Sequence, residues 1–246
     1  MNMNSSQLSR EKIPTSSPNI SSIGDLVMDA MEVGHWWSNR QLQIWLRGYA
    51  TLRYTTLEEI LKKKSFRNKV RVATYSGRKQ GTINVYALKK KTRGFSPDNK
   101  TPVFHGLSCT ECLLRFYRSD PKGEILPERF FRKSGSVPEW GIRYENGTML
   151  LLEFGTRSNV EYHNLISGKL NAYKRNLKGI EEKFSAKAIV LFVLDVPRAT
   201  ILRRLKEWEP KGPYRFVDFQ TFLSVPFGKA LDAEIYIYPD GSVGGL

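Results

Sequence analysis

Apolar residues in the first quarter of the chain recur at the spacing of short amphipathic helices. Residues 25–33 place an apolar side chain every three to four positions, which predicts a first helix ending before Gly34. Ser38 and Thr56 are residue types that cap helix N-termini, and apolar residues follow each at helical spacing. The pattern therefore predicts three short helices.

The pattern then changes from helical spacing to alternation. Residues 70–75 and 82–88 alternate apolar and polar positions, and a polar, basic loop over 76–81 joins them. Three short helices followed by a hairpin with a basic loop is the order of a winged helix-turn-helix. We predict this domain over residues 23–91, after a disordered tail at 1–22 and before a linker at 92–102 that contains Gly94, Pro97 and Pro102.

Residues 103–246 combine strand and helix patterns in a second predicted domain. The run 188–194 is continuously apolar, which indicates a strand buried on both faces with helices on either side of the sheet. This favours a mixed-sheet α/β (α+β) domain. We predict helices at 107–117, 160–184 and 198–208, and strands at 125–132, 139–144, 148–154 and 188–194. The segments 216–223 and 233–238 indicate one or two further strands. We expect Leu165, Leu170, Tyr173 and Leu177 to face inward.

A tight hairpin brings candidate chemistry together in this second domain. Asn146-Gly147 between two strand-like runs is a strong hairpin signal. Glu139 opens the first strand and Glu153 lies near the end of the second, so the antiparallel pairing makes the two carboxylates neighbours. Lys169 follows on the next helix. Two carboxylates and a lysine at a strand end outline a nuclease-type metal site, or a site of that type that has lost its chemistry.

Charge is concentrated in the first part of the chain. The formal net charge is +15; residues 1–102 hold 18 Lys and Arg against 7 Asp and Glu, and residues 103–246 hold 21 against 17. This asymmetry predicts a polyanion-binding module, with double-stranded DNA as the partner and an anionic membrane as the rival. Alternatively, the basic face binds an acidic protein. The candidate phosphate contacts are Lys62, Lys63, Lys64, Arg67, Lys69, Arg71, Arg78 and Lys79.

Cys109 and Cys112 are the two cysteines of the chain, and their spacing without a second pair favours ordinary thiols in a reducing compartment. Neither a signal peptide nor an apolar run of membrane-spanning length is present in the sequence. We therefore expect a cytoplasmic protein, associated with DNA, and no membrane partner.

The predicted order of helix, three antiparallel strands, helix and strand is the core order of the PD-(D/E)XK nuclease superfamily. Over residues 24–210 the chain resembles the replication-relaxation family of bacterial mobile elements, which pairs a winged helix with a nuclease-like domain. Pro138-Glu139 matches the family's Pro-Asp motif, and Glu153 matches the first acid of its Glu-x-Asp motif. The second acid is replaced by Gly155. His105 stands just before the first predicted helix of this domain, as in the family.

The resemblance implies a role for each matching residue. Lys169 matches the family's helix lysine, and Tyr173 the tyrosine that follows it. In an active site, Glu139 and Glu153 would bind Mg²⁺ or Mn²⁺, with Glu111 as a further carboxylate, and Lys169 would stabilise charge on the phosphate. If the site is inactive, no cofactor is implied.

These observations predict a DNA-binding protein of a plasmid, phage or transposon-type element. It would act in replication, maintenance or transcription control of that element. The nuclease-like domain would serve assembly, as a homodimer or with other proteins of the element. The alternatives are a metal-dependent DNA endonuclease that nicks or resolves DNA, and a protein-interaction scaffold.

Overall fold

A computed structural model describes residues 20–46, 59–77, 81–92, 100–120, 122–132, 137–161 and 165–246. The chain divides into two compact units, Met1–Leu114 and Arg115–Leu246. The predicted tail and linker lie mostly outside the described residues, so the predicted domain limits stay predictions. Among the described helices, none is long and apolar enough to cross a membrane.

The first unit contains short helices and a small sheet. Ser38 caps the second helix as predicted, since its Oγ accepts a hydrogen bond from the Gln41 backbone N–H at 3.3 Å. The Gln41 side chain accepts in return from the Ser38 N–H at 3.0 Å, which completes a capping box. The elements are α1 (Ile20–Val33), β1 (Trp37–Ser38), α2 (Asn39–Leu46), a helical stretch at 59–62, α3 (Lys64–Arg67), β2 (Val70–Gly77) and β3 (Gly81–Leu88).

The three strands form one antiparallel sheet in the order β1-β3-β2. β2 and β3 pair from Val70 opposite Leu88 to Gly77 opposite Gly81, which confirms the predicted hairpin. The pattern missed β1, a two-residue strand too short to produce alternation. Thr56 and the loop residues 78–80 lie outside the described part of the chain.

The basic run that precedes the predicted linker packs onto α1. Lys89–Lys91 form a single 3₁₀ turn. The Lys91 ammonium donates to the carbonyl oxygens of Glu32 and Gly34, the latter at 3.0 Å. A cation at this position satisfies carbonyl groups that the helix end leaves without partners. Lys91 therefore has a structural role.

α4 (Lys100–Ser119) begins seven residues before the predicted start of the helix. His105 consequently lies inside the helix, and its expected position before the helix is wrong. Its Nδ1 lies 3.7 Å from the sulfur of Cys109, one turn further along. Cys109 and Cys112 are both free and buried. The interpretation of ordinary thiols stays a prediction.

The second unit is built on a seven-stranded mixed sheet in the order β10-β9-β8-β7-β6-β5-β4. The pairs β4–β5 and β5–β6 are antiparallel, whereas β6–β7 and β7–β8 are parallel. After α4 the elements are β4 (Glu124–Pro127), a 3₁₀ turn (Glu128–Phe130), β5 (Trp140–Arg143), β6 (Thr148–Gly155), α5 (Arg157–Glu161), α6 (Leu165–Phe184), β7 (Lys187–Leu194), α7 (Arg198–Trp208), β8 (Tyr214–Asp218), α8 (Phe219–Ser224), β9 (Tyr236–Ile237) and β10 (Val243–Gly244).

Side chains cover both faces of the central strands, as the apolar run 188–194 predicted. On one face, α6 and α7 pack into a single core with alternate residues of the strands, including Leu151, Val190 and Phe192. On the other face, Phe154 contacts Phe219 of α8, with ring centroids 5.0 Å apart. The predicted α/β class is confirmed at this level.

Several predicted details are wrong. Leu165 is 51% exposed because the buried stripe of the helix runs through Ile166, Leu170 and Tyr173, and position 165 lies one residue away from that stripe. The predicted strand 216–223 ends at Asp218, whose carboxylate accepts from the Thr221 N–H at 2.9 Å and caps α8. β4 ends at Pro127, before the predicted residue 132, because a 3₁₀ turn follows. The predicted helix 160–184 comprises α5 and α6, with residues 162–164 outside the described chain.

Candidate functional site

The hairpin of β5 and β6 brings the two candidate carboxylates to one end of the sheet. Gly147 has φ +78°, the left-handed conformation that favours glycine in this turn. The Glu139 N–H donates to the Leu152 carbonyl at 2.9 Å, and Trp140 stands opposite Leu152. Glu139 is half-buried, and Glu153 is buried with 2% exposure. The predicted proximity of Glu139 and Glu153 is therefore present.

Both oxygens of the Glu153 carboxylate accept hydrogen bonds from α6. The Lys169 Nζ lies 2.6 Å from Oε2, and the Tyr173 hydroxyl donates to Oε1 at 2.7 Å. Lys169 and Tyr173 are four residues apart, so they lie on one face of α6 and reach the carboxylate together. Lys169 also donates to the Val137 carbonyl at 3.2 Å, which ties the helix to the segment before β5.

Burial dominates the electrostatics of this triad of Glu153, Lys169 and Tyr173. Desolvation raises the pKa of Glu153 from 4.5 to about 7, the positive charge of Lys169 opposes the rise, and the Glu139 carboxylate adds to it. The pKa of the Tyr173 hydroxyl is raised well above its ordinary value, first by burial and then by the neighbouring Glu153 charge. Tyr173 is therefore a neutral hydrogen-bond donor.

Apolar side chains fill the position of the second motif acid. A Cβ placed on Gly155 would lie 2.6 Å from the Leu194 Cδ2 and 3.0 Å from the Ile166 Cδ1. These distances are shorter than ordinary contacts, and the surrounding groups are hydrocarbon. An aspartate at this position would need both space and a polar partner, and the Leu194 and Ile166 side chains offer neither.

These contacts determine what the site can do with a cation. Mg²⁺ and Mn²⁺ require several oxygen ligands in near-octahedral geometry. Both Glu153 oxygens already accept hydrogen bonds, the carboxylate is buried, and Gly155 supplies no ligand. These are the contacts of a buried ion pair, and they offer a cation fewer accessible oxygen ligands than the predicted metal site requires. Glu111, the third predicted ligand, accepts from the Gln41 side chain at 3.3 Å within the first unit.

The predicted DNA contacts lie on and after the third helical region of the first unit. The side chains of Lys62, Lys63, Arg67 and Lys69 are exposed. Arg71 is half-buried, and its guanidinium donates to the Thr92 carbonyl at 3.1 Å, so part of its capacity is used within the unit. The side chain of Lys64 and the residues Arg78 and Lys79 lie outside the described structure.

Two residues of structural importance were not assigned their roles from sequence. The sequence predicts that Tyr173 faces inward, but it does not predict the bond to Glu153, for which the four-residue spacing from Lys169 is the available signal. Lys91 lies in a run of three lysines, and no sequence signal separates it from Lys89.

Comparisons of the chain with protein-family models, with curated proteins and with solved structures found no match. The resemblance to the replication-relaxation family therefore stays a prediction carried by the motifs.

Proposed function

We propose that this chain is a DNA-binding protein that holds duplex DNA through a winged helix in its first unit. The nuclease-like fold of the second unit is catalytically inactive and serves assembly. In line with the family resemblance, the process served is replication, maintenance or transcription control of a mobile element. The partners are double-stranded DNA and either a second copy of the chain or other proteins of the same element.

The observation that carries the proposal is the element order of the first unit together with its exposed lysine and arginine side chains. The succession α1, β1, α2, a helical region at 59–67, β2 and β3, with sheet order β1-β3-β2, agrees with a winged helix. In that fold the third helix enters the major groove and the hairpin loop lies along the backbone. Lys63, Arg67 and Lys69 are exposed on and just after that helical region, where they can meet phosphates.

After α4, the order of three antiparallel strands, helix and parallel strand agrees with a PD-(D/E)XK core.

The triad supports the inactive character of the second unit. A working site of that type presents its acids to solvent and metal, whereas Glu153 is buried against Lys169 and Tyr173. A buried carboxylate with two donors is a stable end state for a site that no longer binds metal.

Salt-dependent DNA binding tests the first part of the proposal. We would measure the affinity of the full chain for a fluorescent duplex at increasing salt, beside the double variant Lys63→Ala/Arg67→Ala. Losing two phosphate contacts should reduce the slope of log affinity against log salt by about 2. The matched control is Lys89→Ala/Lys100→Ala, which removes two exposed charges of the same unit and should preserve the slope. Absence of DNA binding by the parent would favour the protein-interaction scaffold.

A cleavage assay tests the second part. Supercoiled plasmid incubated with the parent and Mg²⁺ or Mn²⁺ should remain intact. Nicking by the parent that Glu139→Gln abolishes would show a metal-dependent endonuclease and refute the inactive site. We choose Glu139 for this variant because it is only half-buried, so the substitution leaves the triad in place.

A further inference from the structure

Exposed positive charge in the second unit is concentrated on the helical layer formed by α6 and α7. Lys183 is left out because it donates to the Phe130 carbonyl and lies over the Phe184 ring. The two helices then carry six exposed basic side chains and two exposed acidic ones, Glu182 and Glu207. We define the basic surface as these six residues: Lys174, Arg175, Lys178, Arg198, Arg203 and Lys206.

The topology places both helices on one face of the sheet. β6, β7 and β8 are adjacent parallel strands, and α6 and α7 are the crossovers between them. Crossovers of this kind are right-handed, so two successive ones that advance in the same direction lie on the same side. The shared core of Ile166, Tyr173, Ile201 and Leu205 agrees with this arrangement. The outer surfaces of both helices therefore face solvent on the same side of the unit.

The charges of the basic surface are not used to hold the fold together. Lys174, Arg175 and Arg203 have no ion pair within the described chain. Lys178 approaches Glu182 only at 3.9 Å, and both side chains are largely exposed. Exposed pairs of that kind contribute little to stability. Like charges one turn apart, such as Lys174 and Lys178, repel each other slightly in the absence of a polyanion.

We propose that the basic surface of α6 and α7 is a second contact for the DNA backbone. The lysines and arginines would neutralise phosphates without reading sequence. A membrane is disfavoured because surface-bound helices insert large apolar side chains, and Leu165 is the one such exposed residue on the two helices as described. This inference rests on the proposed DNA-binding function, and a second contact on the same chain would raise overall affinity through effective concentration.

The test uses the full chain and a triple variant of the basic surface, Lys174→Ala/Arg175→Ala/Arg203→Ala. Alanine preserves helix propensity, and thermal melts of each protein check folding. The matched control, Lys122→Ala/Lys211→Ala/Lys229→Ala, removes three exposed charges of the same unit outside the two helices. If all three basic side chains contact phosphates, the magnitude of the slope of log affinity against log salt decreases by about 2 to 3 for the variant and remains unchanged for the control.

The outcomes separate this inference from the proposed function. If Lys63→Ala/Arg67→Ala weakens binding and the triple variant does not, the winged helix stands and the second contact is refuted. If only the triple variant weakens binding, the second contact stands and the winged-helix assignment is refuted. A parent without DNA affinity refutes both. A fourth outcome is that the parent and the control sediment with phosphatidylserine vesicles while the triple variant does not, with DNA binding equal in all three. That result would identify a membrane contact and overturn the inference.

Discussion

Glu153 in the second unit and Lys63 in the first unit are both ionisable side chains that sequence patterns marked as functional. Glu153 is 2% exposed and accepts bonds from Lys169 and Tyr173, whereas Lys63 is exposed beside other bases. Burial makes the first group costly to alter, because its partners would be left without it. Because Lys63 is exposed, its substitution should change the stability of the fold little, and its charge is available to a ligand. The difference teaches that one ionisable side chain is part of the packed fold, whereas the other remains available for binding.

Introducing an acid at position 155, where the family motif would have one, is the most severe test of the buried side of this comparison. Gly155→Asp places a carboxylate against Leu194 and Ile166, where a Cβ alone is already too close. We expect a loss of at least about 4 kcal/mol in the free energy of unfolding, from overpacking and a buried charge. Urea denaturation measures it. Gly155→Ala is the control and should lose about 2 kcal/mol from overpacking alone. A stable aspartate variant that binds Mn²⁺ would show that the site can be rebuilt.

Removing the buried carboxylate is the next largest change. Glu153→Ala leaves the Tyr173 hydroxyl without its acceptor and Lys169 without its ion pair. We expect a loss of about 3 kcal/mol, below the full cost of breaking a buried pair because Lys169 is 39% exposed and can be solvated. Denaturation at pH 7 checks this. A loss below 1 kcal/mol on that scale, about the net value of one ordinary hydrogen bond, would contradict a structural role for the triad.

The raised pKa of Glu153 predicts a stability that falls with pH. The folded protein holds this proton up to about pH 7, whereas the unfolded chain releases it near 4.5. The free energy of unfolding therefore falls as pH rises between these two values, by a total of about 3 kcal/mol for this group. Denaturation of the parent from pH 4 to 8 measures the trend. Glu153→Gln cannot titrate, so its stability should lack this component; the same decline in both proteins would assign it to other groups.

Two lysines of one basic run provide the smallest test, within the first unit. Lys91→Met removes the donor to the Glu32 and Gly34 carbonyls at the end of α1, and we expect a loss of about 1 kcal/mol. Lys89→Met alters an exposed neighbour and should change stability by less than about 0.5 kcal/mol. Thermal melts compare the two variants. Equal effects would mean that the contacts of Lys91 do not distinguish it from a solvated lysine.

Local sequence patterns determine much of the secondary structure of this protein. The Ser38 cap, the hairpin of β2 and β3, the Asn146-Gly147 turn and the buried strand β7 follow from periodicity and turn chemistry, which act over a few residues. The proximity of Glu139 and Glu153 also follows, because hairpin pairing determines which residues stand opposite each other.

Other features depended on contacts between residues distant in the chain. The sequence could name Glu153, Lys169 and Gly155, but only packing decided that the carboxylate is buried and ion-paired and that hydrocarbon fills the space beside Gly155. The limits of two elements differ from the prediction for the same reason. The start of α4 depends on tertiary contacts and the end of β8 on the Asp218 cap, and periodicity reports neither. Burial is a property of the whole packed unit, so the same residue types can indicate a catalytic site in sequence and form a structural ion pair in the fold.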